Sequence, residues 1–269
     1  MRIALLFLSL AAVGAQQTAS DRANWNNPIE PFRIIGNVYY VGAAGVSAFL
    51  IRTSDGFVLL DGALPETAPR IAQNIAALGF DIRDVKVLLN SHAHYDHGGG
   101  LAELKRLSGA SLVASAADAP ALEAGDPDMP AVAVDRRIAD GETVTLGGTT
   151  MTAHLTPGHT KGCTTWTTAA ADAGRTYDVL FHCSTSVVDT LVGNKNYPTI
   201  VEDYERTFAK IRAMKADVFL TNHPFFFDME QKRAAPVAAG KNPFVDPSAL
   251  QRFNERSALQ FKAALEKAR

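Results

Sequence analysis

Basic runs are missing from this chain of 269 residues, and its formal net charge is −2. That absence makes nucleic acid and anionic membrane poor partners, since both are held by clustered Lys and Arg. Long apolar runs are missing too. Ile3 to Val13 is the longest near the start, and it is too short for an ordinary transmembrane helix. No later segment is long and apolar enough to cross a membrane. Also missing is a GxSxG turn, so nothing marks a serine nucleophile. Linkers, low-complexity segments and tandem repeats are absent, which predicts one domain. Cysteine is scarce: Cys163 and Cys183 are the two present.

The start, MRIALLFLSLAAVGAQQ, pairs Arg2 with a short apolar run and then Val13-Gly14-Ala15. This is a signal-peptide pattern with cleavage expected after Ala15. An uncleaved anchor is the alternative. Cleavage would leave residues 16–269 as the mature, soluble, exported domain, expected in the periplasm. Gln16 to Asn27 has little apolar content and is expected to begin as a loose arm.

From Phe32 the pattern turns to strands. Gly36-Asn37 and Ser54-Asp55-Gly56 carry turn chemistry between apolar runs. Glu66 to Leu78 reads as a helix stopped by Gly79, and Val85 to Leu89 as a strand buried on both faces. Leu101 to Leu107 reads as helix and Ser111 to Ser115 as strand. Thr143 to Thr156 reads as paired strands through Gly147-Gly148. Thr164 to Thr168, Tyr177 to Phe181 and Val218 to Thr221 read as further strands. Asp203 to Met214 and a C-terminal stretch through Leu250, Phe253, Phe261 and Leu265 read as amphipathic helices. This order suits an α/β protein with two sheets packed face to face and helices outside.

Five of the seven histidines fall in three short motifs: HAHYDH (His92, His94, His97), TPGHT (His159) and TNHP (His223). Each motif follows a predicted strand, where a rigid scaffold can hold distant ligands together. Imidazole and carboxylate suit zinc. Alternate residues of an extended segment project to one side, so His92 and His94 can grip one ion. Asp96 and His97 then lie on the turn into a helix and point toward a second ion. His159 and His223 would each complete one set. Gly98, Gly99 and Gly100 would let the backbone pass close to the metals. His154 and His182 lie in strand patterns outside the motifs and read as ordinary structural residues. Cys163 and Cys183 can form a disulfide in an oxidising compartment, or serve as ligands beside the histidine motifs.

HAHYDH matches the HxHxDH motif of the metallo-β-lactamase superfamily, and the resemblance covers nearly the whole mature chain. It implies an αββα sandwich of two mixed β-sheets with helices on both outer faces. Thioesterases of that superfamily carry a bridging aspartate after the strand matching Val179 to His182, and two β-lactamase subclasses place a ligating cysteine there. Here Ser184 stands in that place. The third β-lactamase subclass has serine there, and WNNPIEPFRIIGNVYYVG, LLNSHAHYDHGGG, TPGHTKGCTTW and DVFLTNHPFFFDM are similar to it as well.

That resemblance implies two Zn2+ ions, the first held by His92, His94 and His159, the second by Asp96, His97 and His223. It implies a disulfide between Cys163 and Cys183. It gives Ser186 a bond to the substrate carboxylate and Ser184 one to a metal-bound water, although simple turn chemistry also explains both serines. Asp96 would orient the attacking hydroxide as well as bind metal. The implied activity is hydrolysis of the β-lactam amide of penicillins, cephalosporins and carbapenems, which gives antibiotic resistance. A monomer is expected, as for many members. Lys161 and Val188-Asp189 depart from relatives that carry proline and Pro-Gly there. A lactonase or thioesterase of the same superfamily and a non-catalytic zinc protein are the alternatives.

Overall fold

The computed structural model describes residues 22–235 and 241–269. The segment expected to be a signal peptide lies outside the described residues. Seven strands form the first sheet in sequence order: β1 (Phe32–Ile35), β2 (Val38–Tyr40), β3 (Phe49–Thr53), β4 (Gly56–Leu60), β5 (Val85–Leu89), β6 (Ser111–Ser115) and β7 (Arg136–Ile138). β1 to β4 pair antiparallel, and β4 to β7 pair parallel. The second sheet has the order β12-β11-β10-β9-β8, with β8 (Thr143–Leu146), β9 (Thr149–Leu155), β10 (Thr164–Asp172), β11 (Arg175–His182) and β12 (Val218–Thr221). β11 and β12 are parallel and the other pairs antiparallel.

Strand periodicity divides the side chains between two cores. In β3, Phe49 and Ile51 point between the sheets, while Leu50 points outward; in β4, Val58 and Leu60 point in, Phe57 and Leu59 out. The inner set meets Trp166, Val179, Phe181 and Leu220 of the second sheet. The outer set is covered by helices α1 (Ala68–Ala77) and α3 (Leu101–Ser108), through Ile71, Ile75, Leu101 and Leu104. Between those two helices lies the short α2 (Tyr95–Gly98). On the far side, α5 (Ile200–Ala213) and α7 (Ala249–Ala268) pack through Tyr204, Phe208, Phe261 and Leu265. The result is the expected αββα sandwich. No helix among the described residues is long and apolar enough to cross a membrane.

Trp166 ties the sheets to the site. Its indole is fully buried, a contribution on the order of 3 kcal/mol. Its Nε1 donates to the Asn90 carbonyl at 3.1 Å, two residues before His92.

Several expectations need correction. β5 is not buried throughout, because Lys86 is exposed and Val87 half-buried. The predicted helix from Glu66 opens as a 3-10 turn, Pro65–Thr67, before α1. The β10–β11 hairpin runs on to a turn at Ala173-Gly174, because strand pairing continues past Thr168 as far as Asp172 and Arg175. Short elements were missed: β7, α4 (Ala119–Ala124) and α6 (Met229–Ala234). The arm is not loose from residue 22 onward. Gly45 N–H donates to the Trp25 carbonyl at 2.9 Å, and Arg22 bonds both Glu66 and Asp128. One aromatic ring and one guanidinium hold a segment that average composition made look unattached.

His182 is fully buried against Phe219 and Phe253, and its Nε2 has no partner. Burial pushes its pKa down from 6.5 to about 3. The unfolded chain takes up a proton there below pH 6.5 while the folded chain does not, so stability falls with pH between those values. Each pH unit in that window costs about 1.4 kcal/mol. His182→Leu is expected to lower the acid-unfolding midpoint, followed by circular dichroism. An unmoved midpoint would count against this account of His182.

Candidate metal centre

The site is built where β5, β9, β11 and β12 end. After Leu89 the chain is fixed at every step. Asp61, at the end of β4 with φ +65, accepts from Ser91 N–H at 2.7 Å. Asn90 Nδ2 donates to the His92 carbonyl at 2.9 Å, and Thr164 N–H donates to the Ser91 carbonyl at 2.8 Å. Asp61 is buried, which raises its pKa to about 6. His92 and His94 are thereby presented before α2 begins at Tyr95.

Two trios of side chains converge. His92, His94 and His159 form one; Asp96, His97 and His223 form the other, with ligand atoms within 4.8 Å of one another in each. In the first, His94 Nδ1 and His159 Nε2 are 3.1 Å apart. In the second, Asp96 Oδ2 lies 3.2 Å from His97 Nε2 and 3.4 Å from His223 Nε2. Two ligands of one tetrahedral zinc, each bonded at about 2.0–2.1 Å, stand roughly 3.4 Å apart. Both trios fit that geometry.

The remaining ring nitrogens set the tautomers. His159 Nδ1 donates to the Ser186 carbonyl at 2.7 Å, and His223 Nδ1 to the Gly45 carbonyl at 2.8 Å. Each ring then turns a lone pair on Nε2 toward its trio, the arrangement metal-binding histidines use. His92 Nε2 is buried and has no hydrogen-bond partner. A buried nitrogen without a partner is costly unless a cation takes its lone pair. Burial, with the neighbouring histidines, pushes His92 well down; burial likewise brings His159 down to about 3. These rings are neutral and ready to ligate near pH 7. Burial acts against the charged forms of Asp96 and His97, but their mutual attraction outweighs it, lowering the carboxyl's pKa and raising the imidazole's.

The cysteine sulfurs are joined in the structure, with Cα atoms 5.8 Å apart. The pair lies behind His92, whose Nδ1 is 3.6 Å from Cys183 Sγ. A sulfur in a disulfide is not a thiolate, so this pair adds no ligand to the first trio. Ser184 is buried, and its Oγ accepts from Ser186 N–H at 3.2 Å, which is turn chemistry. Ser186 is half-buried, and its carbonyl also accepts from Tyr204 Oη at 2.7 Å. His154 binds Thr167 Oγ1 at 2.8 Å, and neither it nor His182 belongs to a trio.

The three glycines serve packing. A Cβ on Gly99 would lie 2.4 Å from Pro65 Cδ, one on Gly100 2.1 Å from the Gly62 carbonyl oxygen, and one on Gly98 2.8 Å from Met129 Sδ. Their neighbours are protein, not the converging ligands. Trp25 and Phe225 flank His223, with ring centroids 5.2 and 5.1 Å away. Sequence reasoning missed Trp25, Asp61 and Asp118. The faint signals were an aspartate closing the apolar run of β4 and another just after β6.

The family model for the metallo-beta-lactamase superfamily matches residues 41–223. A solved subclass B3 metallo-beta-lactamase of Bradyrhizobium japonicum is 45% identical, with a TM-score of 0.88, over 91% of this chain and 97% of that one. The native metallo-beta-lactamase of Legionella gormanii is 38% identical, with a TM-score of 0.86, over 90% of this chain and 98% of that one. Among curated proteins, a hydroxyacylglutathione hydrolase of Rhodospirillum rubrum is 31% identical over 137 residues, 48% of this chain and 49% of that protein. The chain thus spans about half the length of that curated relative.

Proposed function

Because the chain belongs to the metallo-beta-lactamase superfamily and is a metallo-hydrolase, we propose that it hydrolyses the amide bond of β-lactams with two zinc ions. The observation that carries this reading is the pair of three-ligand sets side by side. Structural zinc sites are closed by four protein ligands, whereas hydrolytic sites keep a position open. Zinc, when bound, supplies Lewis acidity that polarises a carbonyl and makes water nucleophilic near neutral pH.

The protein's own groups do the rest. His92, His94 and His159 hold the first ion, and Asp96, His97 and His223 the second. The Asp96 carboxylate also accepts a hydrogen bond from the attacking water and aims it. The Ser186 hydroxyl donates to the carboxylate of the substrate. Ser184 keeps that segment in its turn. Val188, at 61% exposure, and Phe225, at 55%, offer apolar surface to the substrate's uncharged groups.

The resemblance to hydroxyacylglutathione hydrolases favours thioester cleavage as a second reading. It covers half of such a relative, and Ser184 stands where that group places an aspartate. The two metallo-beta-lactamase structures match over nearly their full length. We extend the proposal to a signal peptide cleaved after Ala15, a single domain over residues 16–269, a periplasmic monomer, and resistance to β-lactams in the host. Turnover of a penicillin, a cephalosporin, a carbapenem, an acyl-homoserine lactone and a glutathione thioester by one purified preparation tests the substrate class. The β-lactams are expected to lead. A preparation that prefers the lactone or thioester would overturn the reading.

A further inference from the structure

Asp118 stands just before the short helix α4, outside every motif read from the sequence. It is 5% exposed. Its Oδ2 accepts from Ala93 N–H at 3.0 Å and from Thr160 Oγ1 at 2.7 Å. Its Oδ1 accepts from Gly162 N–H at 2.8 Å. Ala93 lies between His92 and His94, and Thr160 follows His159. One carboxylate thus bridges the two loops that bring the first trio together, where His94 Nδ1 and His159 Nε2 approach to 3.1 Å.

The cradle around this carboxylate is tightly built. Asp118 N–H donates to Ser115 Oγ at 3.1 Å. A Cβ on Gly162 would fall 2.0 Å from Ser115 Oγ and 2.6 Å from Asp118 Cγ, so a glycine is required for the backbone to close on the acid. No Lys or Arg pairs with Asp118 among the described residues. A buried carboxylate without a cation is expensive to keep, and three donors offset only part of that cost. Neutral imidazoles holding a divalent ion leave its charge uncompensated, and a buried carboxylate bonded to Ala93 and Thr160, the chain neighbours of those histidines, offsets it.

We propose that Asp118 is a positioning residue, which sets the spacing of His94 and His159 and raises the affinity of the first metal site. This rests on the reading that His92, His94 and His159 hold a metal. A hydroxyl or amide could link the same loops, but it would not add negative charge beneath them. Position and charge therefore separate by substitution: Asp118→Asn keeps the shape and loses the charge, while Thr160→Val keeps the charge and loses one tether.

The test uses the full mature chain carrying His223→Ala, which weakens the second trio and leaves the first to be titrated. Zinc affinity is measured by competition with a chromophoric chelator, and geometry by the visible spectrum of the Co2+-loaded protein. Asp118→Ala and Asp118→Asn are expected to weaken zinc binding about 10- to 100-fold and to shift the Co2+ bands. Thr160→Val is expected to fall between these and the parent. Circular dichroism of the metal-free proteins controls for folding; if Asp118→Ala fails to fold, Asp118→Asn and Thr160→Val carry the test. Unchanged affinity and spectrum in the folded variants would overturn the role of Asp118. A different result, a parent whose binding is untouched by His92→Ala, would instead overturn the metal reading itself.

Discussion

β-Lactam turnover should fall to background in excess chelator and return on adding zinc. The loss should exceed about 1,000-fold, since about 4 kcal/mol of barrier lowering disappears with the Lewis acid. Recovery should be complete. Both trios are held by the fold: Asn90, Asp61 and Thr164 fix the His92 segment through backbone bonds, and Ser186 and Gly45 orient His159 and His223. Burial also holds His92 and His159 neutral, so these two rings need not shed a proton to rebind metal near pH 7. Absorbance of a carbapenem at its ring chromophore, read before chelation, after it, and after zinc addition, checks the expectation. Full activity after prolonged dialysis against chelator, with metal content shown to be nil, would sink it.

Asp96→Ala should lower kcat/KM by roughly three orders of magnitude, about 4 kcal/mol of transition-state stabilisation. The carboxylate is the single anion of the second trio, and Oδ2 faces both His97 Nε2 and His223 Nε2. On the proposed mechanism its removal takes away a metal ligand and the acceptor that aims the water. It also leaves two histidines facing each other without a negative charge between them. Asp96→Asn restores shape but not charge and should recover little. Kinetics at saturating zinc, with metal content measured in parallel, separate the two losses. A drop confined to zinc stoichiometry, with normal turnover per bound ion, would remove Asp96 from the chemistry. Turnover near the parent level with metal bound would contradict both roles.

Much of the site was legible because its signals are local. HAHYDH places four of the six trio residues within six positions, and two further histidines stand in short turns after apolar strands. The turns at Gly36-Asn37 and Ser54-Asp55-Gly56, and the glycine that ends α1, also read directly. What stayed hidden is contact between distant segments. Asp118 meets Ala93, Thr160 and Gly162 through folding alone, and no spacing rule links them. Trp25 looked like part of a polar arm because one ring hardly changes the composition of its neighbourhood. The glycines after His97 were read for the wrong neighbour: their space is taken by Pro65, Gly62 and Met129. For Ser184 the sequence leaves turn chemistry open beside a bond to a metal-bound water, and its Oγ accepts from Ser186 N–H.

HAHYDH alone cannot choose a substrate, because the superfamily shares it. The choice rests on Ser184 and on the overlap with solved metallo-beta-lactamases along nearly their whole length. The most direct measurement is therefore the rate of carbapenem ring opening by the purified, zinc-loaded chain, beside a glutathione thioester in the same preparation. The account predicts metal-dependent ring opening with kcat/KM above about 10⁴ M⁻¹s⁻¹, and thioester cleavage far slower. Intact carbapenem beside rapid thioester hydrolysis would contradict it.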